Sequence, residues 1–230
     1  MFLQIKMYFC FSTKEMTQSE ENYLKAIYHL GKTSTGMIST NAIADEMRTK
    51  PSSVTDMVKK LAERELLNYK RYQGVSLTEE GRQKALSVIR KHRLWETFLV
   101  EKLSFNWDEV HEIAEQLEHI QSEKLIDELD RFLSFPKVDP HGDPIPDKNG
   151  DLAQRQSKLL SSLETHSSCV CIGVKDSSSS FLRYLDRNQI ALGDEIKILD
   201  KEDFDNSVHV QIGERKLHLS HVIASNLIVT

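Results

Sequence analysis

Apart from a short stretch over 66–78, the hydrophobic positions of this chain recur every three or four residues as far as about residue 133, and every second residue from about 165 onward. The first regime predicts helices and the second short strands. Tyr23, Leu24, Ile27, Tyr28 and Leu30 share one face of a predicted helix over 18–31 that stops at Gly31. Ser39 and Thr40 cap a second helix running to Met47, with Ile43, Ala44 and Met47 inward. After a turn at 49–52, Pro51 and Ser52 suit a helix start. That third helix, to about Arg64, turns Val54, Met57, Val58 and Leu61 inward and Lys59 and Lys60 outward. Residues 66–72 and 75–78 read as strands around the tight turn Gln73-Gly74. Helix, helix, turn, helix and two-stranded wing is the order of a winged helix-turn-helix, whose third helix would enter the major groove of DNA.

A long helix is predicted over 79–103, followed by one that Asn106-Trp107-Asp108 caps and that runs to about 133. Their apolar faces (Leu94, Phe98, Leu99; Ile113, Leu117, Ile120, Leu125, Ile126, Leu129) exceed what one small domain needs and point to a homodimer interface. Residues 136–151, rich in Pro, Gly and Asp, mark a loop and domain boundary, and a linker helix is predicted over 153–163. Strands at 170–174, 195–199, 208–212 and 216–219, with one helix over 179–187, read as a small SH3-like barrel. The expected class is mainly α with a small β portion. Its expected parts are a tail over 1–15, a winged helix-turn-helix over 16–80, a helical domain over 81–151, a linker helix over 152–164 and the barrel over 165–230.

Composition adds polarity to this outline. The chain of 230 residues is 39% hydrophobic and 28% charged, with a net charge of -5 that hides two opposite segments. Residues 48–71 hold seven bases against three acids, whereas 101–151 hold fourteen acids against five bases. A basic patch next to an acidic segment fits an anion-binding module joined to a cation-binding one. Cys10, Cys169 and Cys171 form no disulfide framework, so a reducing cytoplasm is expected, and the alternating Cys169 and Cys171 read as core thiols. No apolar run reaches the roughly 18 residues a membrane span needs. The apolar segment 1–15 lacks a basic start and a cleavage site, so it reads as an over-extended start or disordered tail ahead of Met16.

The candidate chemistry lies in the acidic segment. His111, Glu115, Glu118 and His119 fall on one helical stripe, and His92 with Glu96 can form a facing stripe on the preceding helix. Imidazole and carboxylate without thiolate suit a hard-to-borderline divalent ion such as manganese or iron(II). A solvated acidic face is the plainer reading of any one such pair, but the doubled stripe is interleaved with Ile113, Ala114, Leu117 and Ile120. An enzyme is the rival class. His111-Glu112-x-x-Glu115 ends in Glu where a zinc hydrolase needs His, the paired Glu-x-x-His of di-iron bundles is absent, and no nucleophile elbow or phosphate loop appears.

With those elements in place, Pro51-Ser52-Ser53-Val54-Thr55, Met57-Val58-Lys59-Lys60-Leu61 and Leu77-Thr78-Glu79-Glu80-Gly81 resemble the diphtheria-toxin-repressor/manganese-transport-regulator family. So do Arg90-Lys91-His92-Arg93-Leu94, Leu117-Glu118-His119, and Asp139-Pro140-His141-Gly142 with Ile145-Pro146. The tail 165–230, with Leu182-Arg183-Tyr184-Leu185 and Leu192-Gly193-Asp194, is similar to the family's SH3-like, FeoA-type domain. The likeness covers about residues 17–230 and implies a metal-activated dimeric repressor of metal-uptake genes, with no membrane association.

The resemblance implies a primary metal site on Asn22, Glu115, Glu118 and His119, and a second on His92, Glu96 and His111. Other members draw on Asp139 and His141 for the second site, and an acidic side chain of the SH3-like domain, here Asp176, can complete it. Glu115 stands where iron-type members have Cys, which favours Mn2+ over Fe2+. Asn22 stands where the family has Met or Asp, so it offers an oxygen but no charge. Lys25 stands where manganese-type members can have a carboxylate, which argues against their paired-metal site. On operator DNA, Lys50, Ser52, Ser53, Thr55 and Asp56 would approach bases, with Lys59, Lys60, Lys70 and Arg71 serving phosphates or the minor groove. The alternative is a winged-helix regulator that responds to another ligand and keeps vestigial metal sites.

Overall fold

In a computed structural model the described residues are 15–34, 36–153 and 155–230, and they form two compact units dividing after Lys84. The expected tail and Cys10 therefore lie outside the described residues, apart from Glu15.

The first unit contains α1 (Gln18–Thr33), α2 (Thr40–Glu46), α3 (Pro51–Glu63), β1 (Leu67–Lys70) and β2 (Gly74–Leu77). A capping box starts α1: Thr17 Oγ1 accepts from Glu20 N, and the Glu20 carboxylate accepts from Thr17 N. Leu24 and Ile27 of α1, Ile43 of α2, and Val54, Val58 and Leu61 of α3 are all fully buried. The three- and four-residue spacing on α1 and α3 gives each of those helices an apolar stripe, and the stripes close on Ile43 to make the core. The wing pairs antiparallel from Leu67↔Leu77 to Lys70↔Gly74, and Ile38 bridges to Val75 beside it. Gly74 is required there: it sits at φ +120°, and a Cβ would lie 2.6 Å from the Ile38 carbonyl oxygen.

Glu20 also ties α1 to α3, with Arg64 Nη1 at 2.8 Å and Lys60 Nζ at 3.3 Å from Oε1. Burial pushes its carboxyl up, but the bonds from Thr17 and Arg64 outweigh that and bring it down to about 2. A depressed folded value stabilises the fold above the unfolded carboxyl range, and the benefit is lost as pH falls from about 4.5 toward 2. Glu20→Gln should therefore cost the DNA-binding unit about 2–3 kcal/mol at neutral pH. Urea unfolding should show that gap closing as pH falls through this window; a gap independent of pH would refute the charged role.

Across the boundary runs α4 (Glu79–Leu103), which carries His92 and Glu96. The helix expected to run to 133 is instead two, α5 (Val110–Leu117) and α6 (Glu123–Phe132). Glu118 is the C-cap of α5, and Ser122 Oγ accepts from Leu125 N to start α6 afresh. Leu94, Ile126, Leu129, Leu133 and Ile145 form the helical core, with Trp95 and Phe98 packed against it.

The linker helix expected over 153–163 is a correction. Lys158–Leu159 is a strand, β3, followed by a 3-10 turn over Leu160–Ser162. The rest of the barrel is β4 (Ser168–Val174), α7 (Ser179–Arg187), β5 (Glu195–Lys201), β6 (Val208–Ile212), β7 (Arg215–Leu219), α8 (His221–Ala224) and β8 (Leu227–Val229). The six strands form one antiparallel sheet in the order β3-β8-β4-β5-β6-β7. Its core includes Cys169, Cys171, Phe181, Leu182, Leu185, Ile196 and Val210. Burial raises both thiols, Cys171 to about 11, so they are inert core groups at neutral pH. No helix among the described residues is long and apolar enough to cross a membrane.

Candidate metal centre and nucleic-acid face

The second unit brings most of the candidate ligands together on α4, α5 and the 139–143 loop. Three groups have donor atoms all within 4.8 Å of one another: His92, Glu96 and His111; His92, Glu115 and Glu118; and Glu96, Asp139 and His141. They share members, so they make one continuous array. His92 Nδ1 lies 2.5 Å from Glu118 Oε2, and its Nε2 lies 3.0 Å from Glu96 Oε1. His111 stands 3.5 Å from Glu96 and 3.8 Å from Glu115. His119, beyond the end of α5, stands 3.8 Å from Glu118 Oε1. His92, implied for the second site alone, thus touches a carboxylate of the first.

The third group comes from the loop. His141 Nδ1 faces Glu96 Oε2 at 3.6 Å, and its Nε2 is 2.8 Å from the Trp107 carbonyl oxygen. A carbonyl can only accept, so Nε2 carries a hydrogen; the protonated ring turns a second N–H toward Glu96, and the neutral ring turns its Nδ1 lone pair into the same space. Asp139 Oδ1 accepts from the backbone N–H of His141 and of Asp143, which fixes the loop's shape. Arg93 holds the loop from the helix side, with Nε 3.4 Å from Asp139 and Nη2 3.1 Å from Asp143.

The array is buried. Glu118, Glu96, Asp139, His141 and His92 are all 8% exposed or less, whereas His111 is open to solvent. Burial pushes the Glu96 carboxyl up, but hydrogen bonds from His111, His141 and His92 outweigh it and hold the group well below the carboxylate range. Asp139 is raised to about 7 by burial and by the charges of Glu96 and Asp143. Burial lowers His141, but contact with Glu96 dominates and lifts it to about 9. So many buried carboxylates facing imidazole nitrogens make a pocket that a cation would neutralise. The donors are nitrogen and oxygen only, which fits a hard-to-borderline divalent ion.

Three expected ligands fall outside these groups, His119 among them although it faces Glu118. Asp176 belongs to none of these groups; its Oδ1 accepts from Ser178 N at 2.8 Å. Asn22 lies in the first unit, where its side-chain Oδ1 is buried and has no hydrogen-bond partner. An orphaned buried acceptor costs free energy and suits an oxygen donor held for a cation. The sequence reading missed Arg93 and Trp107. A signal for Arg93 was available: Arg90, Lys91, His92 and Arg93 are consecutive, and all four are buried.

On the winged unit, Lys50, Ser52, Ser53, Asp56 and Lys59 are exposed on α3 and its N-cap, as are Lys70 and Arg71 at the wing. Thr55 is half-buried and donates its hydroxyl to the Pro51 carbonyl, and Lys60 leans on Glu20, so neither is as free as expected. Tyr72 at the wing tip, which the sequence reading passed over, is 91% exposed with the Arg71 guanidinium 4.9 Å from its ring centre.

An exposed basic helix beside a basic wing, carried with a buried imidazole–carboxylate array, defines a metal-responsive DNA-binding protein as the class. Comparison with known proteins agrees. Residues 15–75 match the iron dependent repressor N-terminal DNA binding domain, 78–147 its metal binding and dimerisation domain, and 158–230 the FeoA domain. An uncharacterized HTH-type transcriptional regulator of Methanocaldococcus jannaschii is 38% identical over 118 residues, covering 51% of this chain and 94% of that protein. The iron-dependent repressor IdeR of Mycobacterium tuberculosis is 34% identical over 132 residues, and the match spans 57% of each chain. The solved structure of a manganese-dependent transcriptional repressor in complex with manganese aligns with a TM-score of 0.84 at 33% identity, covering 92% of this chain and 99% of that one. The chain belongs to the diphtheria-toxin-repressor/manganese-transport-regulator family of metal-dependent transcriptional repressors, which are not enzymes.

Proposed function

We propose that this chain is a cytoplasmic, homodimeric repressor that binds operator DNA when it holds Mn2+, with Fe2+ the alternative ion, and controls genes for metal-ion uptake. The observation that carries this reading is the continuous array of His92, Glu96, His111, Glu115, Glu118, Asp139 and His141, built of imidazole and carboxylate with Glu115 where a thiolate would select softer ions. The manganese complex of a similar repressor supports it.

When bound, the ion supplies positive charge that offsets the buried carboxylates. The chain's own residues do the rest. Glu115, Glu118 and His119 would hold one position at the end of α5, and Asn22, whose buried oxygen is orphaned, is the further ligand that the family resemblance implies. An ion bound there would favour a state with matched recognition helices by as much as the ion prefers that state. Lys50, Ser52, Ser53, Thr55 and Asp56 would read bases, and Lys59, Lys60, Lys70 and Arg71 would meet phosphates or the minor groove.

Of the apolar residues expected at a dimer interface, Leu94, Leu99, Ile126 and Leu129 are buried within the chain itself, so the dimer rests instead on Leu125 with Leu103, Phe132 and Phe135, large apolar side chains 42–62% exposed on or beside the elements that build the helical core. Their burial does not involve the array, so the dimer should persist in EDTA at micromolar concentration. Light scattering that gave a monomer there would contradict this. Operator binding to the chain's own upstream DNA, measured in EDTA and then with Mn(II), Fe(II), Co(II) or Zn(II), tests the function. Binding that needs an ion supports the reading, and equally tight binding in EDTA favours a regulator of another ligand with vestigial metal sites.

A further inference from the structure

Beyond the array, the helical part of the second unit and the SH3-like domain meet at the loop that starts α5. Ser179, Arg183 and Asp186 recur at i, i+4 and i+7 on α7 and so share a face. All three grip that loop. Ser179 Oγ donates to the Asp108 carbonyl at 2.8 Å, and Arg183 Nη1 donates to Asp108 Oδ2 at 3.1 Å. Trp107 Nε1 donates to both carboxylate oxygens of Asp186, at 3.0 and 3.1 Å. The Trp107 ring packs against the barrel core and stacks on the His141 imidazole, with centroids 6.2 Å apart and planes 14° apart.

Trp107 thus faces two ways. Its indole belongs to the SH3-like domain, while its carbonyl orients His141 toward Glu96. The same domain grips His141 from a second side: Val174 N of β4 donates to the His141 carbonyl at 2.9 Å. Gly142 follows, packed so closely that a Cβ would lie 2.1 Å from the Ile172 carbonyl oxygen. Asp176, the acidic group through which this domain was expected to act, is turned to Ser178 instead.

We propose that Trp107 is a positioning residue through which the docked SH3-like domain sets the geometry of the Glu96-centred cation group, acting from outside the ligand set by holding His141. Groups that orient a ligand imidazole typically alter metal affinity by about 10–100-fold when removed. The inference rests on the reading of Glu96 and its histidines as a cation site.

The test uses the full chain and Co(II) as probe, with stepwise titration and the ligand-field spectrum of each step. Arg183→Ala with Asp186→Ala opens the grip at two exposed positions outside the barrel core, and Trp107→Phe removes the indole donor while keeping an aromatic ring against the core. Uptake at the Glu96-centred group should weaken about tenfold in both, with a changed spectrum, while uptake at the Glu118 group stays as in the wild type. Asp186→Glu, which keeps the acceptor, should restore affinity and spectrum. If the wild type takes up ion at both groups and the variants match it in affinity and spectrum, the coupling is overturned while the metal reading stands. If the wild type takes up no ion at the Glu96-centred group, that cation site and the coupling fall together.

Discussion

Replacing Glu118 by Gln, or His119 by Ala, should reduce metal-stimulated operator binding by more than about 100-fold while the fold survives. Glu118 is wholly buried, at the C-cap of α5, with Oε2 against His92 and Oε1 toward His119. Gln keeps its size and removes the charge, so the loss separates cation binding from packing. His119 lies past the end of α5 and makes no part of the helical core, so Ala there leaves the packing of α4 and α6 in place. Fluorescence anisotropy with labelled operator, read against circular dichroism of each variant, measures both halves. Two folded variants with the wild-type metal response would remove Glu118 and His119 from the metal centre.

The second large effect concerns which ion activates. Glu115→Cys should move the preference toward softer ions by about tenfold or more in the ratio of Co(II) or Zn(II) to Mn(II) needed for half-maximal operator binding. Tight nickel or zinc binding by the wild type would not itself oppose manganese, because raw affinity for any nitrogen–oxygen site rises along Mn, Fe, Co and Ni. Activation at saturating ion, under anaerobic reducing conditions, is the deciding quantity. If Fe(II) raised operator affinity in the wild type and Mn(II) did not, manganese would be the wrong ion. Asn22→Asp is the paired test: it adds charge at an orphaned buried oxygen and should strengthen Mn(II) activation if that oxygen is a ligand. No change would return Asn22 to an ordinary residue of α1.

What could be read from the sequence follows the range of each signal. The stripes on α1 and α3 are local and period-bound, so Leu24, Ile27, Val54, Val58 and Leu61 declared themselves as core. So did His92 with Glu96, one turn apart on α4, and Glu115, near Glu118 at the end of α5. The break between α5 and α6 was signalled by Ser122 ahead of Glu123, a capping pattern that apolar periodicity overrode. The false linker helix has a different cause: Leu159 pairs with Ile228 across the barrel, and no local window contains that partner. The loop ligands show the same limit. Asp139 and His141 have no helical period, and what brings them to Glu96 is a turn on Asp139, the grip of Arg93 and the Trp107 carbonyl. Family likeness supplied the residues' names but not the geometry, and Trp107 had no signal because its carbonyl meets His141 through the backbone and its indole meets Asp186, far along the chain.

In the proposed switch, ion and operator favour the same state of this chain. Linkage then requires reciprocity: the factor by which Mn(II) tightens operator binding must equal the factor by which operator tightens Mn(II) binding. Mn(II) affinity measured by calorimetry, with and without saturating operator, tests this most directly. Mn(II) should bind more tightly on the operator, by the factor found in the anisotropy titrations and on the order of 5- to 150-fold. Equal Mn(II) affinity on and off DNA would contradict it.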